Sequence, residues 1–426
     1  MTSAQTEPAV ELVVPEARSV RPSDLVPVER DIRCLPFADD SVDFAAELSR
    51  ALLKRPEVRT WPELAALGFF LRRAEVVRLR DRFRGQEEDG VVRVPAGLVF
   101  HVPPGNVDTI FVYSWLLSLL AGNRNVVRLS GRRSPQVDVL TSTLSALLAE
   151  PRHRGVRDRT AIVRYGRNDD VTAFLSSACD IRVLWGGDES VAALRRFPLS
   201  PHAQELTFPD RYSYAVVSAQ AILDAPAREL DRVGRLLADD LYWFDQLACS
   251  SPRLLFWLGD EAAAEAAGAR LYPAIAAAAT ARGWGTEASV ACQRFTEANR
   301  LAADGRIVSG RNVGGALTVV RLTSRDDVDR LARRGGGFLH HLVLGSDLLE
   351  LARFVRRKDQ TLIHYGIDPH ALRDLVLQLA GRGLDRLVPI GSALDFASIW
   401  DGYDLLDRFV RRVHLRTDAG RDSLRT

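Results

Sequence analysis

The sequence predicts two doubly wound α/β domains. From Val91 onward short apolar runs alternate with segments of helical period, the rhythm of parallel strands joined by crossover helices and covered on both faces. A long helical stretch at 225–242 then separates this block from a second one of the same kind. At 426 residues the chain is long enough for two or three domains with substantial cores.

Taken in order, residues 1–30 hold four prolines and little periodicity, so an irregular arm is expected. Helical patterns follow at 42–53 and 61–83, then a polar loop at 85–90. The first block reads as strands at 94–101, 125–129, 160–165, 181–185 and 212–217, with helices at 107–121, 135–150, 169–178 and 189–197. The second reads as strands at 254–258, 317–322 and 341–344, with helices at 261–282, 326–334, 347–357 and 371–379. A strand-like 387–390 and a helix from about Tyr403 complete it. The expected division is an N-terminal arm with helices (1–90), a nucleotide-binding domain (91–222), a catalytic domain (223–390) and a C-terminal segment (391–426).

Composition narrows the function. Net charge is +2, giving no pull toward nucleic acid or anionic lipid. No apolar run is long enough to span a bilayer, and the opening residues lack a signal-peptide pattern, so a cytoplasmic protein without membrane insertion is expected. The four cysteines form no CxxC pair and the eight histidines no ligand motif, so no metal is expected. His340 and His341 are expected on opposite faces of a strand.

The residue types that carry chemistry stand at the breaks between elements. Cys249 sits in Phe244-Asp245-Gln246-Leu247-Ala248-Cys249-Ser250-Ser251-Pro252, between a helical segment and an apolar strand, where a thiol can face a cleft. A small buried apolar residue is the competing reading. Pro103-Pro104-Gly105-Asn106 follows the first strand; Asn106 either aims its amide beyond that strand or caps the next helix. Gly122 is expected to end that helix in a left-handed cap, placing Arg128 and Ser130 at the carboxyl end of the following strand, where a cation and a hydroxyl suit a nucleotide; ordinary exposed polar side chains are the alternative. In Trp185-Gly186-Gly187-Asp188-Glu189 the two glycines let a ligand approach the backbone at a helix start; a glycine turn capped by Asp188 is the alternative.

In this order the motifs resemble the acyl-CoA reductase family of bacterial luminescence operons, the LuxC type, within the aldehyde dehydrogenase superfamily. The resemblance runs roughly over 91–413. It rests on 97–106, 118–123, 244–252, and the late pair 386–391 and 399–403. It implies an aldehyde dehydrogenase-like fold, with Cys249 as nucleophile and Asn106 as donor to the oxyanion. Arg128 with Ser130 would hold the nucleotide, and Gly186 with Gly187 would form a turn beside the cofactor. NADPH as cofactor, a fatty acyl-CoA or acyl-carrier substrate, an acyl-transferring protein partner and a homo-oligomer follow on the same ground. Two departures stand out. Thr207, with Glu205 nearby, replaces the glutamate that activates water in aldehyde oxidation, and Arg311 replaces the glutamate that holds the nicotinamide ribose. The first favours a reductase over an aldehyde dehydrogenase running toward acid; a non-catalytic subunit that binds an acyl-donating partner is the third reading.

Overall fold

The computed structural model describes residues 9–26, 34–285, 287–324 and 336–416. Its contacts divide the chain into two compact units, Met1–Pro209 with Phe396–Thr426, and Asp210–Asp395. Each is built on a seven-stranded sheet.

In the first unit, up to Pro209, the strands are β1 (Val10–Val14), β2 (Arg18–Val20), β3 (Val91–Pro95), β4 (Leu98–Val102), β5 (Arg124–Leu129), β6 (Thr160–Arg164), β7 (Ile181–Trp185) and β8 (Gln204–Phe208), and the later segment adds the short strands Ile399–Trp400, Tyr403–Asp404 and Val410–His414. The sheet runs β2-β1-β6-β5-β4-β7-β8, parallel from β6 to β8. From β4 the chain steps to β5 and β6 on one side, then returns to β7 and β8 on the other. The carboxyl ends of β4 and β7 therefore flank a topological switch point, where open α/β sheets bind ligands. The helices are α1 (Asp39–Leu53), α2 (Pro62–Phe70), α3 (Arg73–Arg84), α4 (Ile110–Leu120), α5 (Pro135–Leu148), the single turn α6 (Arg154–Arg157), α7 (Asp169–Ala178) and α8 (Asp188–Arg195). Every residue of α4 is buried, which explains why it is apolar on all sides.

The second unit holds β9 (Tyr212–Ser218), β10 (Leu254–Leu258), β11 (Ile307–Val313), β12 (Leu317–Leu322), β13 (Phe338–Gly345), β14 (Asp359–Tyr365) and β15 (Arg386–Pro389), ordered β11-β12-β13-β10-β9-β14-β15. All neighbours pair in parallel except β11 with β12. Its helices are α9 (Ala219–Asp224), α10 (Ala227–Tyr242), α11 (Glu261–Ala281), α12 (Ala288–Ala303) and α13 (Pro369–Leu379). Two apolar clusters, around Trp257 and Tyr272 on one side and Phe256 and Leu375 on the other, fill this unit. His341 packs against Tyr272 and His340 against Phe338, so the two histidines do lie on opposite faces.

Several elements depart from the sequence expectation, each for a local reason. Residues 10–20 of the expected irregular arm form β1 and β2, where Val10 and Leu12 are buried around an exposed Glu11, a pattern too short to register as periodicity. The expected strand at 94–101 is two strands, because Gly97 turns the backbone at φ 132° and the Asp180 carboxylate accepts the Leu98 N–H at 2.6 Å. The expected helix at 61–83 is broken at Leu71 and Arg72. The segment at 347–357 is a short 3-10 stretch, Leu348–Arg353, and the helix expected from Tyr403 is the single turn Leu405–Arg408. The expected strand at 212–217 is β9, which pairs in the second sheet. The helix expected at 326–334 lies outside the described residues.

Candidate active site

A cleft of about 1010 Å³ opens at the switch point of the first sheet. It is walled by the residues that follow β4, β5, β6 and β7, and five of the six residues named from the sequence meet in it: Asn106, Arg128, Ser130, Gly186 and Gly187. Its size suits a ligand larger than a simple metabolite. The sequence separates these residues by up to 81 positions; the parallel sheet brings them together because each sits at the carboxyl end of a neighbouring strand.

Asn106 is exposed and does not cap α4, whose N-cap is Thr109. Its side chain is thereby left to the cleft. Gly105 keeps a negative φ, so its use is close approach: a Cβ there would stand 3.0 Å from Ser130 Oγ. Gly122 does end α4 with a left-handed residue, at φ 89°. Arg128 lies with its guanidinium 4.6 Å above the Tyr165 ring and donates to the Gly166 carbonyl at 3.2 Å, so its charge is fixed toward the cleft wall. Ser130 Oγ accepts from the Arg132 N–H at 3.2 Å. At the β7 end Gly187, rather than Asp188, is the N-cap of α8. α7 also starts at the cleft, with Asn168 Oδ1 accepting the Val171 N–H at 3.1 Å. Two helix N-termini with Arg128 and Arg167 favour an anion in this cleft, against the carboxylate of Glu189; Arg196 is paired with Asp169 at 2.6 Å.

The cleft floor is Trp185, whose ring stacks on Phe208 at 3.7 Å between centroids and whose Nε1–H donates to Ser114 Oγ. The Ser114 hydroxyl meets His101 Nδ1 at 2.8 Å, and His101 Nε2–H donates to Asn125 Oδ1 at 3.0 Å. Burial holds the His101 pKa down at about 4, so this imidazole is neutral and structural.

Cys249 belongs to the second unit. It is half-buried and stands five residues before β10, on the amino side of the parallel strands. Its carbonyl accepts from Ser213 Oγ at 2.7 Å; among the described residues no acceptor takes its N–H. The turn before it is unusual. Phe244, Asp245 and Gln246 all have left-handed backbones, at φ 54°, 52° and 59°. Each such residue costs roughly 1–2 kcal/mol, and strain of this kind gathers where a geometry is needed. Ser213 and Gln246 were not singled out from the sequence. Gln246 was visible within the 244–252 motif, whereas Ser213 gave no signal.

The two departures have structural counterparts. Glu205 is fully engaged, Oε2 with the buried Arg182 at 2.5 Å and Oε1 with Arg195 at 2.7 Å. Arg311 lies 5.0 Å from the Tyr272 ring and 3.7 Å from Glu265.

The close approach at Gly105, the two helix starts and the fixed Arg128 are features that could hold an anionic ligand such as a nucleotide. Comparison with known proteins agrees on fold. Lactaldehyde dehydrogenase from Escherichia coli superposes with a TM-score of 0.65 at 12% identity, covering 96% of this chain and 95% of that one. A mutant of Thermus thermophilus 1-pyrroline-5-carboxylate dehydrogenase gives 0.61 at 16%, covering 90% and 82%. The chain has the aldehyde dehydrogenase fold. Among curated proteins it is similar to the long-chain acyl-protein thioester reductases of Vibrio harveyi (29% identical over 185 residues, 43% of this chain) and Aliivibrio fischeri (25% over 169 residues, 39%). The matched stretch spans only 36% and 33% of those relatives' length. The profile of the family described as acyl-CoA reductase (LuxC) matches residues 44–282, more than half of the chain. The chain belongs to the acyl-CoA reductase (LuxC) family.

Proposed function

We propose that this protein reduces an acyl thioester, a fatty acyl-CoA or acyl-carrier, to the aldehyde through an acyl group held on Cys249, with NADPH as reductant. The thiolate of Cys249 attacks the thioester carbonyl, a new C–S bond forms, and the donor thiol leaves with a proton. The Cys249 N–H, which no acceptor takes among the described residues, would donate to the oxyanion of that step. The role of Asn106 as a further donor is carried by the family resemblance. The bound nicotinamide supplies a hydride. The resulting thiohemiacetal then collapses, its C–S bond breaking to release the aldehyde and return the thiol.

The observation that carries this reading is the convergence of Asn106, Arg128, Ser130, Gly186 and Gly187 on one switch-point cleft, in a chain whose family is acyl-CoA reductase. NADPH is favoured because β5 ends in Arg128-Leu129-Ser130, with no carboxylate there to take a ribose 2′-hydroxyl. Reduction is favoured over oxidation to acid because Glu205, the carboxylate closest in sequence to the missing water activator, has both oxygens occupied by arginines. A homo-oligomer and an acyl-transferring protein partner follow from resemblance. None of the described helices is long and apolar enough to cross a membrane.

The test is to incubate the protein with labelled acyl-CoA in the absence of NADPH and map the adduct by mass spectrometry. Label on Cys249, discharged as aldehyde when NADPH is added, is expected. Label elsewhere, or aldehyde formation undiminished in Cys249→Ala, would overturn the proposal.

A further inference from the structure

We infer that Gln246 is the positioning residue for the Cys249 thiol, an assignment that rests on Cys249 being the acyl acceptor. The left-handed run Phe244–Asp245–Gln246 survives only where its surroundings over-determine it. Gln246 supplies that determination. Its side chain is completely buried. Nε2 donates to the Pro252 carbonyl at 2.9 Å and to the Phe338 carbonyl at 3.1 Å. Oε1 accepts the N–H groups of Gly337 and Phe338, both at 3.2 Å. All four hydrogen-bonding positions of the amide are therefore used.

The geometry of those bonds matters more than their number. Gln246 stands three residues before Cys249 and Pro252 three residues after it. One side chain thus ties both ends of the loop that carries the thiol, and pins both to the start of β13. Ser213 Oγ holds the middle of the loop through the Cys249 carbonyl. The anchor is itself held. The Gly336 N–H donates to the Asp245 carbonyl at 3.3 Å, and the buried Arg294 donates to the carbonyls of Gly336, Gly285 and Gly315. A carboxamide is needed, since only a side chain with two donors and two acceptor positions satisfies two carbonyls and two N–H groups together.

The experiment compares two reactions of Cys249 in the full chain. Alkylation by iodoacetamide, read on the Cys249 peptide with the exposed Cys292 as internal reference, counts thiols that are chemically competent. Acyl transfer from acyl-CoA, read as released CoA per competent thiol, reports position. In Gln246→Ala the alkylatable fraction should stay near wild type while acyl transfer per thiol falls about 100-fold, the scale of a small misplacement of a reacting group. A purely structural role would lower the competent fraction and leave the rate per thiol unchanged, and that result would overturn the inference. Gln246→Glu covers the case in which the alanine variant does not fold. Its carboxylate keeps the two acceptor bonds but opposes the two carbonyls, so acyl transfer should be weak at pH 8 and recover toward pH 6 as the introduced carboxyl protonates. The wild type should show no such recovery on lowering the pH. A Gln246→Glu profile parallel to wild type would also refute the assignment. Failure of the wild type itself to take up the acyl group would instead remove the proposed function, and is seen in a separate arm.

Discussion

At the scale of single residues, Glu205 separates what family pattern suggests from what local chemistry permits. It lies two residues from the position of the missing water activator, yet it holds the buried Arg182 and the exposed Arg195. Removing one partner of a buried pair leaves an uncompensated charge, which costs about 3–5 kcal/mol. Glu205→Gln is therefore expected to lower the stability of the first unit by that order, read as a drop in denaturant midpoint, while the ratio of aldehyde to acid produced stays as in wild type. A rise in acid output, or a fall in it from a measurable wild-type level, would show that Glu205 takes part in the chemistry.

Elements are positioned by close approach as much as by apolar burial. Gly234 on α10 faces Ala274 on α11, where an added Cβ would stand 2.8 Å from backbone and side chain alike. Alanine raises helix propensity by about 1 kcal/mol, but overpacking of this kind costs about 1–3 kcal/mol. Gly234→Ala should therefore be net destabilising, measurable by thermal melting, with no change in nucleotide affinity. The loop between β4 and α4 gives the opposite pairing. Gly105→Val would push against Ser130 Oγ at the cleft. If the cleft holds the proposed nicotinamide cofactor, this should weaken its binding roughly 10-fold, the equivalent of about 1–2 kcal/mol of steric strain, in a fluorescence or calorimetric titration, with little change in melting temperature because the loop is exposed.

Over the whole molecule, buried titratable groups of opposite sense shape the response to pH. Asp240, at the end of α10, accepts the N–H groups of Gly391 and Ala393 at 2.6 and 3.0 Å. Burial outweighs those bonds and lifts its pKa to about 7. A carboxyl whose folded pKa lies above its unfolded value of 3.8 stabilises the fold fully below pH 3.8, and that contribution is lost as pH rises toward 7. His101, His340 and His341 are each held down to about 4 by burial, so their contribution is present above pH 6.5 and lost as pH falls toward 4. Asp240→Asn isolates the first effect. The difference in stability between variant and wild type should shift in the variant's favour from pH 4.5 to 7.5, in urea titrations at the two pH values. An unchanged difference would place the Asp240 carboxyl in the ionised state throughout.

Sequence by itself determined the α/β rhythm, most helix and strand positions in the first block and the identity of five residues that share the cleft, because apolar period and glycine or proline punctuation are local signals. Gly122 and the opposite faces of His340 and His341 were legible for the same reason. Other features were settled only by tertiary structure. β1 gains its stability by joining β6, and β2 by joining β1, so their own short pattern carried little weight. β11 and β14 went unread as strands, one being exposed along most of its length and the other mixing Asp, Gln and His into a buried strand. That Asn106 does not cap α4 is known only because α4 begins at Ile110, and Ser213 acquired meaning only through the carbonyl of a residue 36 positions away. The turn before Cys249 shows the limit most directly. A left-handed run of Phe, Asp and Gln contradicts local propensity, and it exists because Gln246 meets β13, some 90 positions later in the chain.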